Sequence, residues 1–298
     1  MEHFMKTEIF KTLETLNLTS LETRVLFNER TSDVDNLKVW KDSVSQIIYI
    51  DDFYTGDNTY VDGAYRADKQ INLQTKNNDF ESASDAQRRF DSHFRFVAGK
   101  KVVDFGCGRG DFLRLIKAEC EDVFGVELQQ NYVDALNDDG ITCFTNLDAI
   151  ENHSIDVCVS FHVLEHLPNP LEVLEAIRNK MVKGGVLLIE VPHANDFLLS
   201  SLASENFKQF TLWSQHLVLH TRESLRRMLG YTGFNDIHIQ SVQRYPLSNH
   251  LHWLAKGEAG GHKSALSLID TTVLTEAYEN SLARIDATDT LVAIAKAP

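Results

Sequence analysis

Through its middle third the chain alternates short apolar runs with amphipathic stretches. Residues 101–105 (KVVDF), 123–127 (VFGVE), 141–144 (ITCF), 155–161 (IDVCVSF) and 186–191 (VLLIEV) are nearly all apolar, as strands covered on both faces are. Between them apolar positions fall at helical spacing. Phe112, Leu115 and Ile116 form one set, residues 132–136 a second, and Leu171, Leu174, Ile177 and Met181 a third, with Pro170 in the first turn and Gly184-Gly185 as the stop. Strands alternating with helices predict a parallel sheet with right-handed crossovers.

Beyond residue 195 the pattern loosens. Residues 222–229 read as a helix capped at Thr221, with Glu223 adding charge to the first turn and Gly230 and Gly233 closing it. A strand follows at 235–242, and the last strand, 290–295 (TLVAIA), comes without a helix long enough for a clean crossover. It is therefore expected to lie antiparallel at an edge. The fold class that results is α/β: a Rossmann-like, doubly wound, mostly parallel seven-stranded sheet with an antiparallel edge strand, plus N-terminal and lid additions. Residues 1–80 are polar. They carry a short strand at 47–50, turns at Gly56, Asp57, Asn58 and Gly63, and four tyrosines, Tyr49, Tyr54, Tyr60 and Tyr65, suited equally to a pocket or to packing. The expected division is an accessory or lid region over 1–80 and a main domain over 81–298, with an insertion at about 243–270.

Composition narrows the partners. With 43% apolar residues a normal core forms, and a net charge of −14 repels phosphate backbones, so a nucleic-acid partner is not expected. A local pocket on an acidic protein still accommodates a small anion. No apolar run approaches the roughly 20 residues that span a bilayer, and the start MEHFMKTEIF lacks a signal-peptide pattern, so the expectation is a cytoplasmic protein without a membrane partner. Cys107, Cys120, Cys143 and Cys158 form no CxxC pair, so reduced packing thiols and no metal site are expected. The oligomeric state stays open, a homodimer among the options.

The chemistry gathers at Asp104-Phe-Gly106-Cys107-Gly108-Arg-Gly110, between a strand and a helix. Glycines let the backbone turn tightly against a ligand, and the helix start adds N–H donors. A pyrophosphate loop wants G-x-G-x-x-G and no acid beside the phosphates. Here an acid precedes the first glycine, which suits a ligand bearing an ammonium group. Glu127 ends the next strand, where a carboxylate accepts bonds from a ribose diol, a feature shared with dinucleotide enzymes. The fourth strand then runs into Phe161-His162-Val-Leu-Glu165-His166-Leu-Pro-Asn-Pro170.

VVDFGCGRGDF, VFGVE and SFHVLEHLPNP together resemble the successive motifs of class I S-adenosylmethionine methyltransferases, over roughly residues 90 to 242. The resemblance implies S-adenosylmethionine as cofactor, with Asp104, Gly106, Cys107, Gly108 and Gly110 at the methionine moiety and Glu127 at the ribose. It places Thr145, Asn146 and Leu147 about the adenine, Leu128 beside Glu127 among the cofactor-binding residues, and Phe161 and His162 near the sulfonium. Packing is the simpler role for Cys107 and Phe105. The remaining readings are a dinucleotide-dependent oxidoreductase and a non-catalytic module that keeps the cofactor fold.

An activated methyl group requires an aligned acceptor and, for a hydroxyl, a base. Three of the 12 histidines fall where ligands bind in open sheets: His193 after the fifth strand, His166 after the fourth, and His216 in FTLWSQHLVLHT. The last segment is similar to the Y-x-E-H stretch of sugar C-methyltransferases, but with Trp213 and Gln215 in place of tyrosine and glutamate, and the chain lacks their cysteine-rich zinc module. The expectation is O-methylation of a small polar acceptor such as a sugar, nucleotide-sugar or glycan-related metabolite, with His216 as base. C- or N-methylation and quinone-type O-methylation are the alternatives. The His, Asn and Ser of 243–264 speak against a lipid or quinone mouth.

Overall fold

The computed structural model describes residues 8–56 and 75–298. The turns expected at Asp57, Asn58 and Gly63, and Tyr60 and Tyr65, lie outside these residues. Helix α1 (Ile9–Thr15) leads into β1 (Arg24–Asn28), β2 (Val39–Asp42) and β3 (Ile48–Ile50). The three strands form an antiparallel sheet completed by β9 (Val218–Leu219), a two-residue strand from far along the chain. Only β3 was legible in the sequence. Its Ile48, Tyr49 and Ile50 are all buried, whereas the exposed Val25 and Leu26 on β1 give no two-fold burial pattern.

Helix α2 (Thr75–Val97), β4 (Lys101–Phe105), α3 (Asp111–Ile116), β5 (Asp122–Val126), α4 (Gln130–Asp138), β6 (Thr142–Phe144) and β7 (Ile155–Phe161) follow in order. Next come α5 (Pro170–Lys180), β8 (Met181–Pro192), α6 (Glu205–Thr211), β9, α7 (Arg222–Tyr231), β10 (Asn235–Val242), α8 (Leu247–Lys256), α9 (Thr272–Arg284) and β11 (Thr290–Lys296). Seven strands make the central sheet in the order β10-β11-β8-β7-β4-β5-β6. β4 pairs parallel with β5 and β7, and β7 pairs parallel with β8. Strand order therefore reverses at β4 and β7, which opens the crevice where such sheets bind ligands.

The final strand is antiparallel, as expected. It runs antiparallel to both neighbours and sits one place in from the edge, with β10 outside it. A 13-residue helix, α9, does precede it. Helix α5 stops at Lys180, so Met181 opens β8 opposite Ile155 instead of continuing the helical face. Gly184, at φ +75°, lies within that strand. One face of the sheet packs on Leu174 and Ile177 of α5 and Leu225 and Met228 of α7. The other packs on Ala86 and Val97 of α2 and Leu113, Ile116, Val133 and Leu136 of α3 and α4. Thr221 caps α7 as its position suggested, accepting from the Ser224 amide at 3.2 Å. Among the described residues no helix is long and apolar enough to cross a membrane.

Candidate active site

The glycine loop leaves β4 at the crevice. Gly106, Gly108 and Gly110 all have positive φ, of +78°, +54° and +76°. Gly106 also leaves no room for a side chain, since a Cβ there would stand 2.4 Å from Cγ2 of Val163. The backbone thus lies directly against the loop that follows β7. The amides of Gly106 and Cys107 both donate to the Val126 carbonyl (2.8 and 3.2 Å). Glu127 spans the turn: its Oε2 accepts from the Gly108 amide at 2.8 Å and its Oε1 from the Gln129 amide at 2.9 Å. Burial pushes the Asp104 carboxyl up to about 7; Arg89 opposes the shift and Glu127 adds to it. The cradle fits a nucleoside ligand with an ammonium group: a buried acid, backbone closely apposed, and a second carboxylate on β5.

The side chains around this loop divide. Leu128 is 45% exposed, while Leu147 is buried and Asn146 caps a short 3-10 turn by accepting from the Asp148 amide at 2.9 Å. Phe161 is buried edge-on against Phe112, ring centroids 5.2 Å apart, with the Arg89 guanidinium 4.4 Å from its centroid. The sulfur of Cys107 lies 4.0 Å from that of Cys143, packed against core residues, so the residue offers the loop its backbone.

The sequence reading missed the most densely bonded group of the site. Glu190, fully buried near the end of β8, accepts from Arg88 Nη2 (2.8 and 2.9 Å), from Arg89 Nη2 (2.6 Å) and from Arg89 Nε (3.2 Å). His162 Nε2 lies 3.1 Å from the same carboxylate, and its Nδ1 lies 3.2 Å from Glu165. Burial works against a charged His162. The two carboxylates overcome it and hold its pKa above the ordinary value. His162 takes φ +57°, a conformation rare for a side chain of this size. The Glu190 carboxyl stays well below the usual range despite its burial, because both arginines and His162 face it. Asp85, also on α2, pairs with Arg244 (Nε–Oδ1 3.1 Å) and is held down to about 2 against the cost of burial. The signal was there to read: a lone acid inside VLLIEV, and an Arg-Arg pair ahead of the glycine loop.

Of the three candidate histidines the structure brings two together. His166 and His216 stand with ring centroids 5.1 Å apart, and Trp213 meets both edge-on at 6.0 and 5.0 Å. His166 Nδ1 donates to the Gln215 carbonyl (2.7 Å) and His216 Nδ1 to the Thr211 carbonyl (2.8 Å), so in its neutral form each ring carries its lone pair on Nε2. Burial, with His166 beside it, pushes His216 down to about 3. Glu165 is buried behind them. Its Oε2 meets no partner, and His162 and His166 hold it at about 2 although burial acts the other way. One donor atom each from Glu165, His166 and His216 falls within 4.8 Å of the others, a spacing that accommodates a divalent cation. His193 sits apart. It is 1% exposed, its Nδ1 donates to the Thr288 carbonyl at 3.0 Å, and burial pushes it down to about 4.

Residues 92–239 match the methyltransferase domain family. The chain is similar to ubiquinone biosynthesis O-methyltransferases of Photobacterium profundum (24% identity, 55% of this chain and 75% of the relative) and Psychrobacter arcticus (27%, 54% and 68%). Among solved structures, an S-adenosylmethionine-dependent methyltransferase from Archaeoglobus fulgidus superposes with a TM-score of 0.52 at 22% identity, covering 72% of this chain and 94% of that one. Fold, motifs and relatives agree: the chain is a class I S-adenosylmethionine-dependent methyltransferase, an enzyme with that cofactor.

Proposed function

We propose that the enzyme methylates an oxygen of a small planar aromatic acceptor, a phenol or quinol. One observation carries the reading: Trp213 meets His166 and His216 edge-on in a three-ring cluster backed by Glu165, and His166 stands on the loop after β7 that Gly106 abuts at Val163. Such rings suit a flat acceptor better than a sugar. The relatives' names agree in specifying O-methylation in ubiquinone biosynthesis, and nothing in them favours the sugar or glycan acceptor expected from residues 213–216.

In this reading Asp104 takes the cofactor's ammonium group. The backbone of 106–110 lies along the methionine moiety, Glu127 takes the ribose, and Leu128, Asn146 and Leu147 border the adenine. Phe161 and His162 face the reacting end. S-adenosylmethionine supplies an activated methyl group, so the protein's work is to align the acceptor and receive its proton. His166 suits the second task better than His216. Burial leaves His216 a weak base, and His166, partly exposed like His216, has its tautomer fixed by Gln215. Residues 8–56 and 243–270 are assigned to cover the acceptor side. Incubation with methyl-labelled cofactor and a panel of catechols, hydroxybenzoates and nucleotide-sugars tests the assignment. Label is expected in the phenolic compounds; transfer confined to the nucleotide-sugars would overturn it.

A further inference from the structure

We propose that Cys107 and Cys143 form a redox-sensitive pair whose disulfide switches off cofactor binding. Cys107 lies in the glycine loop and Cys143 on β6, with β5 between them in the sheet. They meet over β5 because the intervening residue is Gly125. A Cβ at Gly125 would stand 2.9 Å from each sulfur, so any larger residue would close the slot that both occupy. The sulfurs are 4.0 Å apart, and a disulfide needs about 2.05 Å. The pair must therefore close by about 2 Å. β6 is anchored by its pairing to β5 and by the bonds of Asn137 to Cys143 (Cys143 amide to Oδ1 3.0 Å, Nδ2 to Cys143 carbonyl 3.2 Å). The mobile partner is the loop.

Pulling Cys107 toward β6 moves its neighbours. Gly106 and Cys107 share the Val126 carbonyl, and Gly108 donates to Glu127. These contacts set the two halves of the cradle, so oxidation distorts it while the rest of the sheet is untouched. The reaction is balanced with a peroxide as oxidant. The two thiols lose two electrons and both S–H protons, one S–S bond forms, the O–O bond breaks, and two waters leave. Cys107 is partly exposed and gives the oxidant its approach. The other two thiols have no such partner nearby: Cys120 donates to the Val97 carbonyl at 3.3 Å, and Cys158 is buried in the core.

The inference rests on the assignment of residues 104–110 to the cofactor, and the experiment separates the two. Reduced protein is titrated with S-adenosylhomocysteine, treated with hydrogen peroxide, quenched with catalase, digested without reductant and examined by mass spectrometry. A Cys107–Cys143 cross-link lighter by two hydrogen atoms is expected, with at least about tenfold weaker S-adenosylhomocysteine binding, restored by dithiothreitol. By reciprocity, saturating S-adenosylhomocysteine should slow the cross-link. Cys143→Ala should bind like wild type and ignore peroxide. Because wild type is its own control through reductant, the test survives a variant that fails to fold. Absence of the cross-link when Cys120 is already oxidised would overturn the inference, as would a cross-link that leaves affinity unchanged. Reduced protein that does not bind S-adenosylhomocysteine would instead overturn the loop assignment.

Discussion

The loop assigned to the cofactor and the corner assigned to the acceptor meet where Gly106 abuts Val163, and they are built by opposite means. The cradle is backbone: glycines at positive φ, amides shared on one carbonyl, and a carboxylate that bridges the turn. The acceptor corner is side chain: Glu165, His166, Trp213 and His216, drawn from two separate stretches and locked by bonds to the carbonyls of Gln215 and Thr211. A part made of backbone tolerates changes in most side chains and changes little in chemistry. A part made of side chains is retuned by single substitutions. One would expect the first to serve a shared cofactor and the second a particular acceptor.

Substitutions probe this division. The largest effect is expected from His166→Gln, which keeps a polar side chain but takes no proton near neutral pH. Turnover should fall by roughly 10²–10⁴-fold with the affinity for S-adenosylhomocysteine unchanged; equal losses in both would blur the division. Next, Glu190→Ala leaves Arg88, Arg89 and His162 facing an uncompensated site, and removing one partner of a buried ion pair costs about 3–5 kcal/mol. Denaturant unfolding should register that loss, and wild-type stability would demote the cluster to a solvated one. Glu127→Ala removes a charged acceptor of hydrogen bonds, each worth roughly 1.5–3 kcal/mol. Calorimetry should show cofactor affinity at least about tenfold weaker with turnover at saturation nearly intact.

The smallest effect is a pH dependence. Asp104 is held up to about 7, so below that pH the carboxyl is neutral in the folded protein and offers the ammonium group no charge. Affinity for S-adenosylmethionine should therefore rise with pH up to about 7 and level off above it. Asp104→Asn should flatten the curve. A wild-type affinity that does not change between pH 5.5 and 8 would mean that Asp104 serves the loop alone.

The same division explains what could be read from the sequence. The central strands announced themselves because both faces are buried, and the cradle because Asp104 and the three glycines are contiguous in the chain. Helix α2 did not, although Ala86, Phe90 and Val97 recur at helical spacing on its packed face, because charged residues separate them. Glu190 showed in the sequence only as a lone acid in its strand, since period and hydropathy describe neighbours along the chain while its arginine partners lie about a hundred positions away. His166 and His216 were each found, but their meeting was not, because only the fold sets their rings 5.1 Å apart.

One short strand ties the N-terminal sheet to the rest of the molecule. Val218 and Leu219 pair with Tyr49 and Ile48, so the segment that carries Trp213 and His216 is hydrogen-bonded into the N-terminal sheet, and only at His220 does it reach the end of β8, through Pro192 and Ala194. Acceptor preference is therefore portable only in pieces that respect this seam. A chimera that exchanges residues 212–221 alone would set a foreign strand against β3, and one that exchanges residues 8–56 alone would strand the native His216 on a mismatched support. Transplanting both stretches together is the minimal cut that keeps the register whole, and it leaves the glycine loop of the recipient unaltered.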